Sequence, residues 1–219
     1  MVGQSLAGAC HVTQVDVRSN NLDANVGQLF IPIIEKPHFE SFSGIPVKKI
    51  RDNAITEIDV KGVEDSKLEA CGGVILAHCL KSNSSVTVVE AFGCAFGAEG
   101  GKAMAAALEA SKSLEEISVG NVIVGSTVRL KSDGSMRIVT GTGYSPPGSV
   151  TLQGVDGYPD PSKFDPIPAV LPLKKLRENT ITELDLKNSG LGVDGGMMLA
   201  AMLKSNSSVT KVSDCERLV

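Results

Sequence analysis

The chain has 219 residues, 42% hydrophobic and 21% charged, a balance that excludes disorder over its whole length. With a net charge of −4 and a pI of about 5.4 it lacks the broad positive field that draws in phosphate backbones, so no nucleic-acid partner is expected. Aromatic residues make up only 4%, with no Trp, which leaves Leu, Ile, Val, Met and Ala to build the core.

The N-terminal MVGQSLAGACHVTQV has neither the basic nor the sustained apolar region of a secretory signal. Apolar runs such as Val74 to Ala77 fall far short of the ~18 residues that cross a bilayer, so no membrane insertion is expected. The five cysteines (Cys10, Cys71, Cys79, Cys94 and Cys215) are odd in number and form no CxxC pair. Reduced thiols in an intracellular, cytoplasmic protein are the simplest reading. On that reading the N-x-S sequences at Asn83 and Asn206 are turns rather than glycosylation sites.

In chain order, the first unit spans 12–37, with apolar residues at Val12, Val15, Val17 and Leu22 and a polar Asn20 between the last two. A short unit, 38–54, carries IPVKK, where Pro46 argues against a regular helix. Units 55–85 and 86–113 each pair a strand-like stretch, starting at Ile55 and Val86, with a run at helical spacing that opens on Gly72-Gly73 and Gly100-Gly101. The interval between these strands is 31 residues, consistent with a three-residue insertion around Glu64 to Lys67. A further strand starts at Leu114 and its unit, 114–125, then loses register. Residues 126–154 are irregular: two alternating strands joined at Ser132-Asp133-Gly134, then the glycine- and proline-rich GTGYSPPG. A second short unit, 155–180, carries LPLKK with Pro172. Unit 181–208 restores the strand, starting at Ile181, and the helix opening on Gly195-Gly196. A partial unit, 209–219, is expected to leave a hydrophobic edge at Val209 to Val212.

Residues 45–61 (IPVKKIRDNAITEIDVK) and 171–187 (LPLKKLRENTITELDLK) share ten identities in seventeen positions. Both copies continue into a Gly-Gly helix and then KSNSSVT. Shared descent of two segments explains this better than chance does. The starts at 86 and 114, and at 181 and 209, are both 28 residues apart, a period typical of repeat architectures. The pattern L-x-x-L-x-L-x-x-N/C-x-L is met by Val12 to Leu22, by Val86, Val89, Ala91, Cys94 and Phe96, and by Ile181, Leu184, Leu186, Ser189 and Leu191. Asn20, Cys94 and Ser189 suit the position that hydrogen-bonds the turning backbone, whereas Val63 and Val122 do not.

On these residues, most clearly ITELDLKNSGLGVDGGMMLAAMLKSNSSVTKV, the chain resembles leucine-rich-repeat proteins of the ribonuclease-inhibitor-like subfamily. The resemblance implies one α/β leucine-rich-repeat solenoid over 1–219: a right-handed βα superhelix with a curved parallel sheet on the concave side, short helices on the convex side and a hairpin-like insert. Such scaffolds bind proteins rather than catalyse. The subfamily also includes the Ran GTPase-activating proteins and the sensor repeats of larger receptors, which gives two alternative readings. Arg18 is the only conceivable match to the functional arginine of the Ran activators, and their acidic tail is absent from these residues.

Outward strand positions place Glu57, Asp59, Glu90, Phe92, Glu116, Glu183 and Asp185 on the concave face. This acidic stripe is either a docking surface for a basic partner segment, with Phe92 as its apolar anchor, or a solvated sheet face. The irregular insert is either a protrusion that binds a partner or a decayed repeat. His11, His38 and His78 share no spacing with Cys or carboxylates, so no metal, cofactor or catalytic group is implied.

Overall fold

In the computed structural model, residues 11–61, 67–123, 126–142, 150–155, 157, 160–187 and 189–213 are described. Cys10, Val63, the insertion at Glu64 to Lys67 up to its last residue, most of GTGYSPPG, Cys215 and the end of the partial unit lie outside them.

Strand β1 (Gln14–Val15) leads into helix α1 (Ala24–Ile34), whose Asp23 accepts a hydrogen bond from the Val26 N–H at the helix start. Strand β2 (Ser41–Phe42), the short helix α2 (Val47–Arg51) and strand β3 (Glu57–Asp59) follow. Next come α3 (Glu69–Lys81), β4 (Val88–Glu90), α4 (Gly97–Ala110) and β5 (Glu116–Val119). The insert contributes β6 (Thr127–Leu130), β7 (Met136–Thr142), β8 (Val150–Leu152) and β9 (Phe164–Pro166). The chain then returns through β10 (Ala169–Leu171), α5 (Leu173–Arg177), β11 (Glu183–Asp185), α6 (Gly192–Lys204) and β12 (Lys211–Ser213).

The fold is mixed α/β, with small sheets in place of one continuous curved parallel sheet. Their orders are β1-β2, β10-β5-β4-β3, β11-β12 and β8-β7-β6-β9. Pairing is parallel between β1 and β2, along β3, β4 and β5, and between β11 and β12. The parallel ladder breaks twice, after β2 and after β5, where the two copies of the Pro-x-Lys-Lys module stand. The helix layer does not break: α1 packs on α3, α3 on α4, and α4 on α6. One core cluster therefore runs from Phe30 to Met202 and includes Ile58, Val89, Ile117 and Leu184 from the strands.

The two modules share a local plan. In the first, β2 turns through Ser43-Gly44 and comes straight back, so that Phe42 forms an antiparallel bridge with Ile45 and the Lys48 N–H reaches the Glu40 carbonyl. In the second, Ile117 of β5 pairs with Leu171 of β10 and the Lys174 N–H reaches the Glu115 carbonyl. The irregular insert is thus an expansion of that two-residue turn into a separate four-stranded antiparallel sheet. Its own small core holds Val128, Val139, Val150, Leu152 and Phe164. The expected hairpin is present as β6 and β7, with Gly134 at positive φ. Its boundary shifts, however, because Val155 bridges Leu152 and β9 pairs with β6, so Val155 and Phe164–Pro166 pair with the insert rather than with a short repeat.

Pro46 and Pro172 stand immediately before α2 and α5, where a missing N–H costs nothing, and each is followed by a single short helix. The arginine closing each helix is a clasp. Arg51 donates to the carbonyls of Ile34, Lys36, Pro37 and Phe39 at 2.9–3.2 Å, covering the end of α1. Arg177 does the same for Leu108, Ser111 and Leu114 at the end of α4. Both satisfy carbonyls that a helix terminus leaves without partners.

The sequons are turns, as expected, and they lock adjacent units together. Asn83 donates to the Ile50 carbonyl and accepts from the N–H groups of Ser85 and Val86, while the Ser85 hydroxyl donates to the Ile55 carbonyl. Asn206 and Ser208 repeat these bonds on Leu176, Ser208, Val209 and Ile181. Asn20, Cys94 and Ser189 also bond turning backbone, on the carbonyls of Val17 and Arg18, of Val60 and of Leu186 respectively. Val122 instead packs against the core of the insert.

A carboxylate stitches each module junction. Glu69, held at positive φ at the start of α3, accepts from the Leu22 N–H, and Asp194 in the first turn of α6 accepts from the Phe96 N–H at the start of α4. Asp194 is buried, and burial raises its pKa above the ordinary carboxylate value. A group with a raised folded-state pKa stabilises the fold below its unfolded value and loses that contribution as pH rises through the folded value. Asp194→Asn keeps an acceptor for Phe96 and removes the charge. The stability difference between variant and native chain should therefore grow in the variant's favour as urea unfolding is repeated from acid to neutral pH; a difference independent of pH would rule this out.

Candidate interaction surface

The strands β3, β4 and β5 turn Ile58, Val89 and Ile117 into the core, each no more than 1% exposed. Alternation along a strand then sends their neighbours to the opposite face. The register sets Glu57, Val88 and Glu116 in one row, and Asp59, Glu90 and Ser118 in the next. Four of the acidic residues singled out from the sequence, Glu57, Asp59, Glu90 and Glu116, therefore share one small sheet. Glu57 and Asp59 are exposed, and Glu90 and Glu116 half-buried.

Lys61 lies between Asp59 and Glu90, its ammonium 3.5 and 3.7 Å from their carboxylates. Among the described residues Glu57 and Glu116 have no ion-pair partner. An open groove lined by Asn53, Ala54, Ile55, Thr56 and Glu57 borders the first of them. The patch thus carries four carboxylates and, in Lys61, one paired cation among the described residues.

Glu183 and Asp185 are exposed on β11 but do not continue this patch. The far edge of β5 is occupied by β10, while β11 pairs with β12 alone, so the stripe is interrupted where the insert returns. The Glu183 carboxylate is 3.5 Å from the Lys211 ammonium across that pair. Phe92 is only 9% exposed, which leaves its ring little to offer as an outward anchor, and Ser118 is 2% exposed. Arg18 is held by Asp16 through bonds of 3.0 and 2.6 Å, and that guanidinium, chiefly by its hydrogen bonds, lowers the Asp16 pKa.

Cys71, Cys79 and Cys94 are buried, and burial pushes the thiols of Cys71 and Cys79 up to about 12, so neither of these two is a nucleophile at neutral pH. His78 faces Glu35 at 3.2 Å on the helix layer. Among the described residues no group of three or more His, Cys, Asp or Glu is placed to hold a metal ion, and no helix is long and apolar enough to cross a membrane.

Residues 178–200, which begin just after α5 and span all of β11 and most of α6, match the family model described as Leucine Rich repeat. That segment is similar to a single leucine-rich repeat. Within it Leu184 and Leu186 enter the core, Ser189 bonds the turn, and Leu191 packs partly buried before α6. No curated protein matches the chain.

Proposed function

We propose that the chain is a non-catalytic protein-binding module, an array of repeats of about 28 residues of the ribonuclease-inhibitor-like kind, with Glu57, Asp59, Glu90 and Glu116 as its docking face for a basic partner segment. Leucine-rich-repeat domains in general bind proteins, and the repeat at 178–200 supports that role here. The solenoid reading is supported by register: the paired residues Val88 and Glu116, and Glu183 and Lys211, are each 28 apart. The unbroken helix layer supports it too, whereas the Pro-x-Lys-Lys modules interrupt the sheet.

The observation that carries the docking reading is the row Glu57, Val88, Glu116. It is an outward strand face with two carboxylates that have no ion-pair partner among the described residues and a small apolar side chain between them, beside an open groove. Opposite charge brought there gains attraction without first breaking an ion pair. No specific contact favours a GTPase regulator or a receptor array, since Arg18 is already engaged by Asp16.

Affinity capture with the intact chain, compared with a chain carrying Glu57→Lys, Glu90→Lys and Glu116→Lys, tests the reading. All three positions are at least partly exposed, so the fold should persist, with stability within about 1 kcal/mol of the parent. A protein retained by the parent should be lost or weakened at least tenfold by the triple variant, and its retention should fall with added salt. Equal retention by both chains would remove this face as the docking surface.

A further inference from the structure

The two copies of the duplicated segment leave the same strand edge open. In β3 the Val88 N–H reaches the Thr56 carbonyl and the Val60 N–H the Glu90 carbonyl, so Thr56, Ile58 and Val60 turn their backbone groups to β4. The N–H and C=O groups of Glu57 and Asp59 point the other way, to the far edge, and have no backbone partner among the described residues. In β11 the Lys211 N–H reaches the Thr182 carbonyl and the Leu186 N–H the Ser213 carbonyl, which directs the backbone groups of Glu183 and Asp185 outward in the same manner.

Neither edge lies at an end of the chain, and on its module side the chain is described throughout, at 38–61 and 160–187. There Ile45 is bonded to Phe42, and β10 to β5, so each module closes on the strand before it and leaves the strand after it unpaired. The side chains repeat as well: Glu57 and Asp59, like Glu183 and Asp185, are exposed on either side of a buried Ile58 or Leu184. Two like charges on so short an edge oppose pairing with a copy of itself and favour a strand of opposite charge.

We propose that β3 and β11 are two equivalent sites at which an extended basic segment of a partner adds as a further strand. The proposal rests on the docking reading for Glu57 and adds to it a backbone contact, a second site and a partner pattern. A strand laid on either edge puts every second side chain on the outward face, opposite the carboxylates. The fitting segment therefore has Lys or Arg at alternate positions with small β-branched residues between them, and a partner with two such segments engages both sites at once. Lys61 lies 3.5 Å from Asp59 and Lys211 lies 3.5 Å from Glu183, which leaves Glu57 and Asp185 as the carboxylates without an ion-pair partner among the described residues.

The test titrates an end-blocked Lys-Thr-Lys-Thr-Lys-Thr peptide into the full chain by calorimetry up to about 1 mM, beside two further peptides, one N-methylated at every Lys and one at every Thr. Only alternate N–H groups of an added strand face the edge, the Lys set if it runs antiparallel and the Thr set if it runs parallel. The unmodified peptide should bind at two sites per chain. One methylated peptide should bind at least tenfold more weakly and the other as well as the parent. Glu57→Lys with Asp59→Lys, and separately Glu183→Lys with Asp185→Lys, should each leave one site; all four side chains are exposed, so both variants should melt with the parent. Equal binding by both methylated peptides, or a single site, overturns the edge pairing; if the chain reversed at Glu57, Glu90 and Glu116 then loses the peptide, the docking face stands without it. No binding of any peptide overturns the proposal too, while affinity capture still decides the docking face.

Discussion

Arg51→Ala is expected to lose about 2 to 3 kcal/mol of unfolding free energy, measured by urea denaturation. The guanidinium donates to four carbonyls, of Ile34, Lys36, Pro37 and Phe39, which follow one another around the end of α1. Removing it leaves the Ile34, Pro37 and Phe39 carbonyls to whatever water reaches a half-buried site, while the Lys36 carbonyl keeps the Phe39 N–H. Arg51→Lys should recover less than half of the loss, because an ammonium is a point charge and cannot span four acceptors as a planar fork does. Arg177→Ala should behave alike at the end of α4, where burial lowers the pKa of the guanidinium and its acceptors are Leu108, Ser111 and Leu114. Because one core cluster spans both modules, each variant should shift a single cooperative transition. A loss under about 0.5 kcal/mol for both would show that the clasps contribute no more than ordinary surface residues.

Gly101→Ala should be the more damaging of two alanine substitutions that look equivalent in the sequence, at a loss of about 2 to 3 kcal/mol. Its Cβ would lie 2.6 Å from the Asp194 Cα, and the atom in the way is backbone, so α4 and α6 must separate along their length. The same change at Gly196 meets nothing and replaces glycine within a helix, where alanine is favoured by about 0.8 to 1 kcal/mol. Thermal melts of the two variants should therefore move in opposite directions. Movement in the same direction would show that the helix layer is not packed as described.

The repeated pattern of the sequence carried much of the fold, because its cues are local. Alternation put Ile58, Val89, Ile117 and Leu184 inside, the two KSNSSVT segments read as turns, and Ser132-Asp133-Gly134 marked a hairpin. What escaped was set by pairing between distant segments. Nothing local to Ala169–Leu171 shows that it returns antiparallel to β5, and Phe164–Pro166 is hidden as a strand by its proline, tolerated because β9 lies at a sheet edge. Those two pairings assign Phe164–Pro166 to the insert and cut Glu183 and Asp185 off from the acidic patch. The burial of Phe92 escaped for a related reason: alternation names the face a residue turns to, not what else reaches that face. The clasp roles of Arg51 and Arg177 had no local cue, since the carbonyls they hold come from a different helix.

The docking assignment is tested most directly by carboxylate footprinting. The chain would be labelled with a carbodiimide and an amine, alone and in complex with a protein retained by affinity capture, and the labelled side chains identified. Glu57 and Glu116, accessible in the free chain and unpaired among the described residues, should lose most of their labelling in the complex, while Glu99 on the opposite helix layer keeps its own. Unchanged labelling of Glu57 and Glu116 in a complex that protects other carboxylates would contradict the account.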